Sequence, residues 1–377
     1  MMSSIKLTVG DALREGIAEL NKAGVETPVL DAEVLLAHVL QSLNRTTGRL
    51  PVIIKDRAWL YAHSEQHVNR TTEQHFIALV RKRVKREPVA YIVGHKEFYG
   101  LDFLVNRNVL VPRPESELLV EQANAIIQSS NHPIIIVDIG TGSGAIAVAV
   151  AEQCGVASES SRRRSPVVEQ RFNIGRSLSA ATPDAFFATD ISPAALSVAR
   201  KNARRHGVEK KITFLKGNLL EPILKTCGVR PKGRQLPSSR LDSSDAKASH
   251  YIIVANLPYL PTSEWRATQP EVRKYEPRGA LDGGKDGLKY YRELFEQLDC
   301  LVHNSPQPSL NLREGDRSIP PLRVRRGQGE LRVVVLCEIC PEQARGFEKM
   351  ARGFFPKSRF QVVKDLGGRN RVVKVQI

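Results

Sequence analysis

No apolar run in the chain approaches the roughly 18 residues needed to cross a bilayer. The opening stretch, MMSSIKLTVGDALREG, has no apolar signal core and carries acidic residues early. These absences argue against a membrane span, a secretory signal or a transit peptide. The expectation is a cytoplasmic protein, with an organelle left open. Cysteine is scarce: Cys154, Cys227, Cys300, Cys337 and Cys340 are the only ones in 377 residues. They are too few, and odd in number, for a disulfide framework, so free thiols are expected. Metal-ligand spacing is missing too. Cys337 and Cys340 form C-x-x-C inside a stretch that reads as a strand, with no second ligand pair nearby. His63, His67 and His75 fall in YAHSEQHVNRTTEQH, where the order H-x-E-x-H differs from the H-E-x-x-H of zinc proteases. That segment reads as a solvated helix face, and no metal is expected.

What the chain does contain is ordinary globular composition, 41% hydrophobic and 25% charged residues, and length enough for two domains. Its net charge of +16 invites a polyanionic partner. About half of that excess, however, lies in 156–183, 228–250 and 303–330, stretches rich in Ser, Pro, Gly and Arg that fall between predicted elements. These read as insertions, expected to be disordered, and loops accept such length at small cost. Nucleic-acid binding is therefore not the primary expectation.

Residues 1–87 read as a helical bundle. Thr8 with Asp11 suggests a capping box for DALREGIAEL. Thr27-Pro28 opens LDAEVLLAHVL, whose apolar residues recur at three- and four-residue spacing. A third helix is expected over roughly 70–86, ending in a basic run. Residues 88–112 alternate apolar and aromatic residues around Gly94 and Gly100, the pattern of a hairpin connector. From 113 to 377 the texture is α/β. PIIIVDIG, FFATD, KITFLKGN, YIIVANLPY, LRVVVLCEI and RVVKVQI read as strands. AIAVAVAEQ, AALSVARKNARRH and YYRELFEQL read as helices, which predicts a doubly wound, mainly parallel sheet.

Three motifs in this region carry chemistry. Asp138-Ile139-Gly140-Thr141-Gly142-Ser143-Gly144 joins a buried strand to a helix, where glycines admit a ligand close to the backbone and the helix start offers free N–H groups. The pattern is D-x-G-x-G-x-G rather than the G-x-G-x-x-G of dinucleotide binders. An acidic residue closing the first strand is a feature of S-adenosylmethionine enzymes, where it faces the methionine end of the cofactor. Asp190 closes the second strand, at the ribose-binding distance once the first insertion is set aside. Asn256-Leu257-Pro258-Tyr259 ends the strand YIIVA. There an Asn oxygen and the next backbone carbonyl can hold both hydrogens of a planar –NH2 group, with Tyr259 as a face against which it packs. Positioning of this kind supplies much of the rate of a transfer.

These residues resemble the protein-(glutamine-N5) methyltransferase family acting on peptide-chain release factors. The likeness runs through REPVAYIVGHKEFYGLDFLVNRNVLVPRPESELLVE, VDIGTGSGAIAVAVA, ATDISPAALSVARKNA, NLPYLP, YEPRGALDGGKDGLKYYREL and VKDLGGRNRVV. The resemblance implies a Rossmann-like class I S-adenosylmethionine-dependent methyltransferase domain, preceded by a helical substrate-recognition domain and a β-hairpin. It places the cofactor on Gly140, Thr141, Gly142, Ser143, Gly144, Asp190, Asn218, Leu219 and Asn256. It places the substrate glutamine of a Gly-Gly-Gln loop on Asn256, Leu257, Pro258 and Tyr259, with Asn256 and Tyr259 catalytic. GNLL stands where family members often carry Asp and an aromatic, and Leu257 stands where proline is usual. The implied enzyme is a metal-free monomer. Two other functions compete: an adenine-N6 methyltransferase of RNA or DNA, whose affinity would fall steeply with salt, and a non-catalytic ribosome-associated adaptor, which need not bind cofactor.

Overall fold

The computed structural model describes residues 7–47, 57–132, 134–154, 183, 185–226, 250–303 and 332–377. The three expected insertions lie outside the described residues except at their edges. There Pro183 is described, His250 already opens a strand, and His303 still belongs to a helix. The chain divides into two compact units, one holding Met1–His95 with Thr268–Glu276 and the other Lys96–Ala267 with Pro277–Ile377.

The first unit is helical: α1 (Val9–Lys22), α2 (Pro28–Thr47), α3 (Arg57–Ala62), α4 (Arg70–Val84) and α5 (Val89–Val93). The capping box at Thr8 is present, Asp11 N–H donating to Thr8 Oγ1 at 3.1 Å and Thr8 N–H to the Asp11 carboxylate at 3.0 Å. Leu20, Leu35, Leu36 and Leu60 are fully buried at its centre. The basic run at the end of α4 is only partly a solvated face. Arg83 is buried between Asp31 (2.6 Å) and Glu271 (2.8 Å), and Arg86 also pairs with Glu271 (2.9 Å). Glu271 arrives on the short helix Pro270–Tyr275, so a stretch far along the sequence completes this unit. Part of the expected connector is helical instead. Val89, Ile92 and Val93 recur at helical spacing in α5 and pack on the core of the first unit. The hairpin itself is β1 (His95–Phe98) with β2 (Leu101–Leu104).

In the second unit α6 (Glu117–Ser129) precedes β3 (Ile134–Ile139), α7 (Ala145–Gln153), β4 (Ala185–Asp190), α8 (Pro193–Arg205), β5 (Thr213–Lys216) and β6 (His250–Ala255). Next come α9 (Lys289–His303), β7 (Val333–Glu338), α10 (Ala344–Phe354), β8 (Arg359–Lys364) and β9 (Asn370–Gln376). The sheet runs β5-β4-β3-β6-β7-β9-β8, parallel through β7 and antiparallel at its last two strands. Every residue of β3 is buried, because Ile134 and Ile136 join one apolar layer while Ile135, Val137 and Ile139 join the other. Residues of α6, α7 and α8 fill the first layer, and residues of α9 and α10 fill the second. This is the Rossmann-like class I methyltransferase arrangement. Strand order reverses at β3, which opens a crevice at the carboxyl ends of β3, β4 and β6. Among the described residues no helix is long and apolar enough to cross a membrane.

Candidate active site

The crevice holds a cavity of about 340 Å3, lined by the loop after β3, the end of β4, the turn after β5 and the turn after β6. Its volume falls in the range of small-ligand pockets, roughly 300–1,000 Å3.

The loop after β3 forms the floor. Gly140, Gly142 and Gly144 all take positive φ, at 67, 54 and 80°. Gly144 is also bare for packing, since a Cβ there would lie 3.1 Å from the Ala199 Cα of α8. Thr141 N–H donates to the Thr189 carbonyl (2.9 Å) and Gly144 N–H to the Thr141 carbonyl (2.8 Å), closing the turn. Asp138 differs from expectation: it does not line the cavity. It is 1% exposed, and Thr141 Oγ1 donates to its carboxyl at 2.6 Å, so it shapes the loop from beneath. Burial pushes its pKa up to about 7.

Asp190 closes β4 as expected. Its two oxygens accept the Gly142 N–H (2.9 Å) and the Ser192 N–H (2.8 Å), tying the strand end to the glycine loop. Burial raises its pKa against those two hydrogen bonds. Beside it Ile191 leaves an apolar side chain 69% exposed at the cavity. Asn218 and Leu219 line the cavity too. The Asn218 amide donates to Glu293, and Leu219 holds φ at 51°, with its carbonyl accepting from Thr189 Oγ1 at 2.9 Å.

Asn256, Leu257 and Pro258 form the opposite wall. Leu257 turns its side chain inward, 3% exposed, against Gly140. Besides Asp138, Tyr259 and Gly144 are expected site residues that do not line the cavity. Tyr259 is partly buried against the core, and its hydroxyl donates to Glu338 Oε1 at 3.0 Å. Burial and the Glu338 charge raise the Tyr259 pKa well above the usual phenol range. Asn256 Nδ2 donates to Ser116 Oγ at 2.9 Å, and Ser116 Oγ donates to Glu338 Oε2 at 2.6 Å. Burial raises the Glu338 pKa, while the Ser116 and Tyr259 hydroxyls and the Arg371 charge oppose it.

The turn is braced from behind by LDGGKDG. Gly283 N–H donates to the Leu260 carbonyl (2.8 Å) and Leu260 N–H to the Leu281 carbonyl (3.0 Å). Gln343 Nε2 donates to the Tyr259 carbonyl at 2.8 Å. Ser116, Glu338, Gln343, Ile191 and this glycine segment are not among the site residues expected from the sequence. Ser116 sits inside PRPESE and Glu338 inside an apolar strand run, and only the fold brings either to Asn256.

The family described as the PrmC N-terminal domain matches residues 11–94. A release factor glutamine methyltransferase of Geobacter sulfurreducens is 37% identical over 273 residues, 72% of this chain and 72% of that protein. One of Nitratidesulfovibrio vulgaris is 34% identical over 290 residues, covering 76% of each chain. One of Moorella thermoacetica is 31% identical over 367 residues, 97% of each. By its sequence, the chain belongs to the release factor glutamine methyltransferase family.

Proposed function

We propose that the protein transfers a methyl group from S-adenosylmethionine to the side-chain amide nitrogen of the glutamine in the Gly-Gly-Gln motif of a peptide-chain release factor. The observation that carries this reading is a single cavity lined by the glycine loop, Asp190 and the Asn256-Leu257-Pro258 turn. The residues present suit the cofactor. The loop backbone is bare of side chains at Gly140 and Gly142, a carboxylate stands at the end of β4, and the exposed Ile191 side chain offers an apolar face for a planar base. Gly140–Gly144 would approach the cofactor through backbone, Asp190 would accept from the ribose hydroxyls, and Asn218 and Leu219 would border the adenine.

When bound, the cofactor supplies an electrophilic methyl group on a sulfonium. The rest falls to the chain. A carboxamide nitrogen is a poor nucleophile because its lone pair is delocalised. Asn256 Oδ1 and the Leu257 carbonyl would accept its two hydrogens, so charge building on nitrogen is stabilised as the bond to methyl forms. Pro258 stiffens the turn, and Tyr259 stands beside it with its hydroxyl fixed on Glu338. The methylated nitrogen can lose its proton after transfer, so no strong general base and no metal are needed. The helical N-terminal unit recognises the release factor, and the enzyme acts as a cytoplasmic monomer. An adenine-N6 reading shares the planar –NH2 target and the N-L-P-Y turn, but its electrostatic support is the +16 charge, half of which lies in the insertions.

Asn256→Ala tests the proposal. It removes one acceptor and should lower the rate on a release factor by about 10²–10³. Cofactor affinity, measured by calorimetry, should change far less. Full activity in this variant would refute the assignment.

A further inference from the structure

Asn256 carries an amide whose two ends are nearly the same shape, and only one end suits the target. To hold a substrate –NH2 the side chain must present Oδ1, an acceptor; presenting Nδ2 would set donor against donor. Nothing in Asn256 itself makes that choice. Its neighbours do.

Ser116 Oγ has one hydrogen, which it gives to Glu338 Oε2 at 2.6 Å, leaving a lone pair that takes Asn256 Nδ2–H at 2.9 Å. An ionised carboxylate only accepts, so with Glu338 charged, the form that Arg371 favours, the direction of this chain of hydrogen bonds is fixed at its far end. The other carboxylate oxygen takes the Tyr259 hydroxyl at 3.0 Å. Glu338 is 1% exposed at the last position of β7, one residue past the register pair Ala255 and Cys337, and the Tyr291 hydroxyl donates to its backbone carbonyl. A carboxylate this deeply buried is costly unless each oxygen is satisfied, and here the satisfying groups are the two that reach the substrate turn.

We infer that Glu338 and Ser116 are positioning residues that set the hydrogen-bond polarity of Asn256, so that its amide turns oxygen rather than nitrogen to the target. The inference rests on the proposed glutamine methylation. Ser116 borders the cavity and Glu338 does not; both act through Asn256, and Glu338 also acts through Tyr259.

The test compares Glu338→Gln, Ser116→Ala and Ser116→Thr by steady-state kinetics on a release factor, with S-adenosylmethionine affinity measured by calorimetry. Glu338→Gln keeps the shape but adds a donor, which lets the chain run either way; Ser116→Ala cuts it. Each should lower kcat by about tenfold or more while cofactor affinity stays within about twofold. Ser116→Thr keeps the hydroxyl and should retain most of the activity. The double variant Ser116→Ala with Glu338→Gln should be no worse than the worse single variant, because both break one chain. If Glu338→Gln fails to fold, the Ser116 pair decides alone. The inference is overturned if Ser116→Ala keeps kcat within about twofold of wild type, or if Ser116→Thr falls as far as Ser116→Ala. A wild type that leaves the release factor unmodified overturns the underlying reading instead, and the positioning role with it.

Discussion

At Gly287 the backbone holds φ at 72°, and a Cβ built there would collide with the Tyr259 carbonyl oxygen and the Gln343 amide nitrogen. Both are atoms that brace the substrate turn. Gly287→Ala should therefore cost more than the usual left-handed penalty, about 3 kcal/mol, with loss of methyl transfer. Thermal denaturation checks it, and an unchanged melting temperature would contradict it. Asp138 gives a pH signature. Its native pKa of about 7 stands above the ordinary 3.8, so between these values the folded state keeps a proton that the unfolded chain has lost. Asp138 thus costs stability progressively as pH rises through that window, by about 4 kcal/mol across it. Asp138→Asn should remove this slope, so its stability relative to wild type should rise from acid to neutral pH in denaturant titrations. Parallel curves would contradict it. At this scale the glycine loop, Asp190 and the tetrapeptide were legible, because each is a local pattern tied to a strand end. The withdrawal of Asp138 and Tyr259 from the cavity was not, because it depends on Thr141 and Glu338 reaching them in space.

Elements divide by the strength of their local signal. The continuous apolar run of β3 and the capped starts of α1 and α8 announce themselves, and the structure has them. Missing from the sequence expectation are α3, α5, α6, α10 and β8. In α10 the buried residues Ala344, Phe347 and Ala351 recur at helical spacing, but Gly346 and Gly353 dilute the propensity. β8 is an edge strand of half-exposed, charged residues. α6 has clear periodicity and is overshadowed by the PRPESE stretch that runs into it. Helix α4 carries a prediction of its own. Its Arg83 and the nearby Arg86 share Glu271, whose side chain is 10% exposed. Removing it by Glu271→Ala leaves buried guanidinium charge underpaired and should destabilise the helical unit by about 3 kcal/mol. Urea denaturation reads this directly, and a change under about 0.5 kcal/mol would mean the pairs are spectators.

For the whole molecule, alternation of strands and helices was enough to foresee a doubly wound sheet, and β3 at the point of strand reversal explains why the chemistry gathers where it does. The return of Thr268–Glu276 to the first unit was invisible, since nothing in PEVRKY names its partner across the sequence. The same is true of the link from Ser116 to Glu338. The most direct measurement of what is methylated is mass spectrometry of a peptide-chain release factor incubated with the full chain and S-adenosylmethionine, with structured RNA as a parallel substrate. One added methyl group is expected on the glutamine of Gly-Gly-Gln, none on a release factor whose glutamine is replaced, and none on the RNA. Methylation of RNA adenine with the release factor untouched would contradict it.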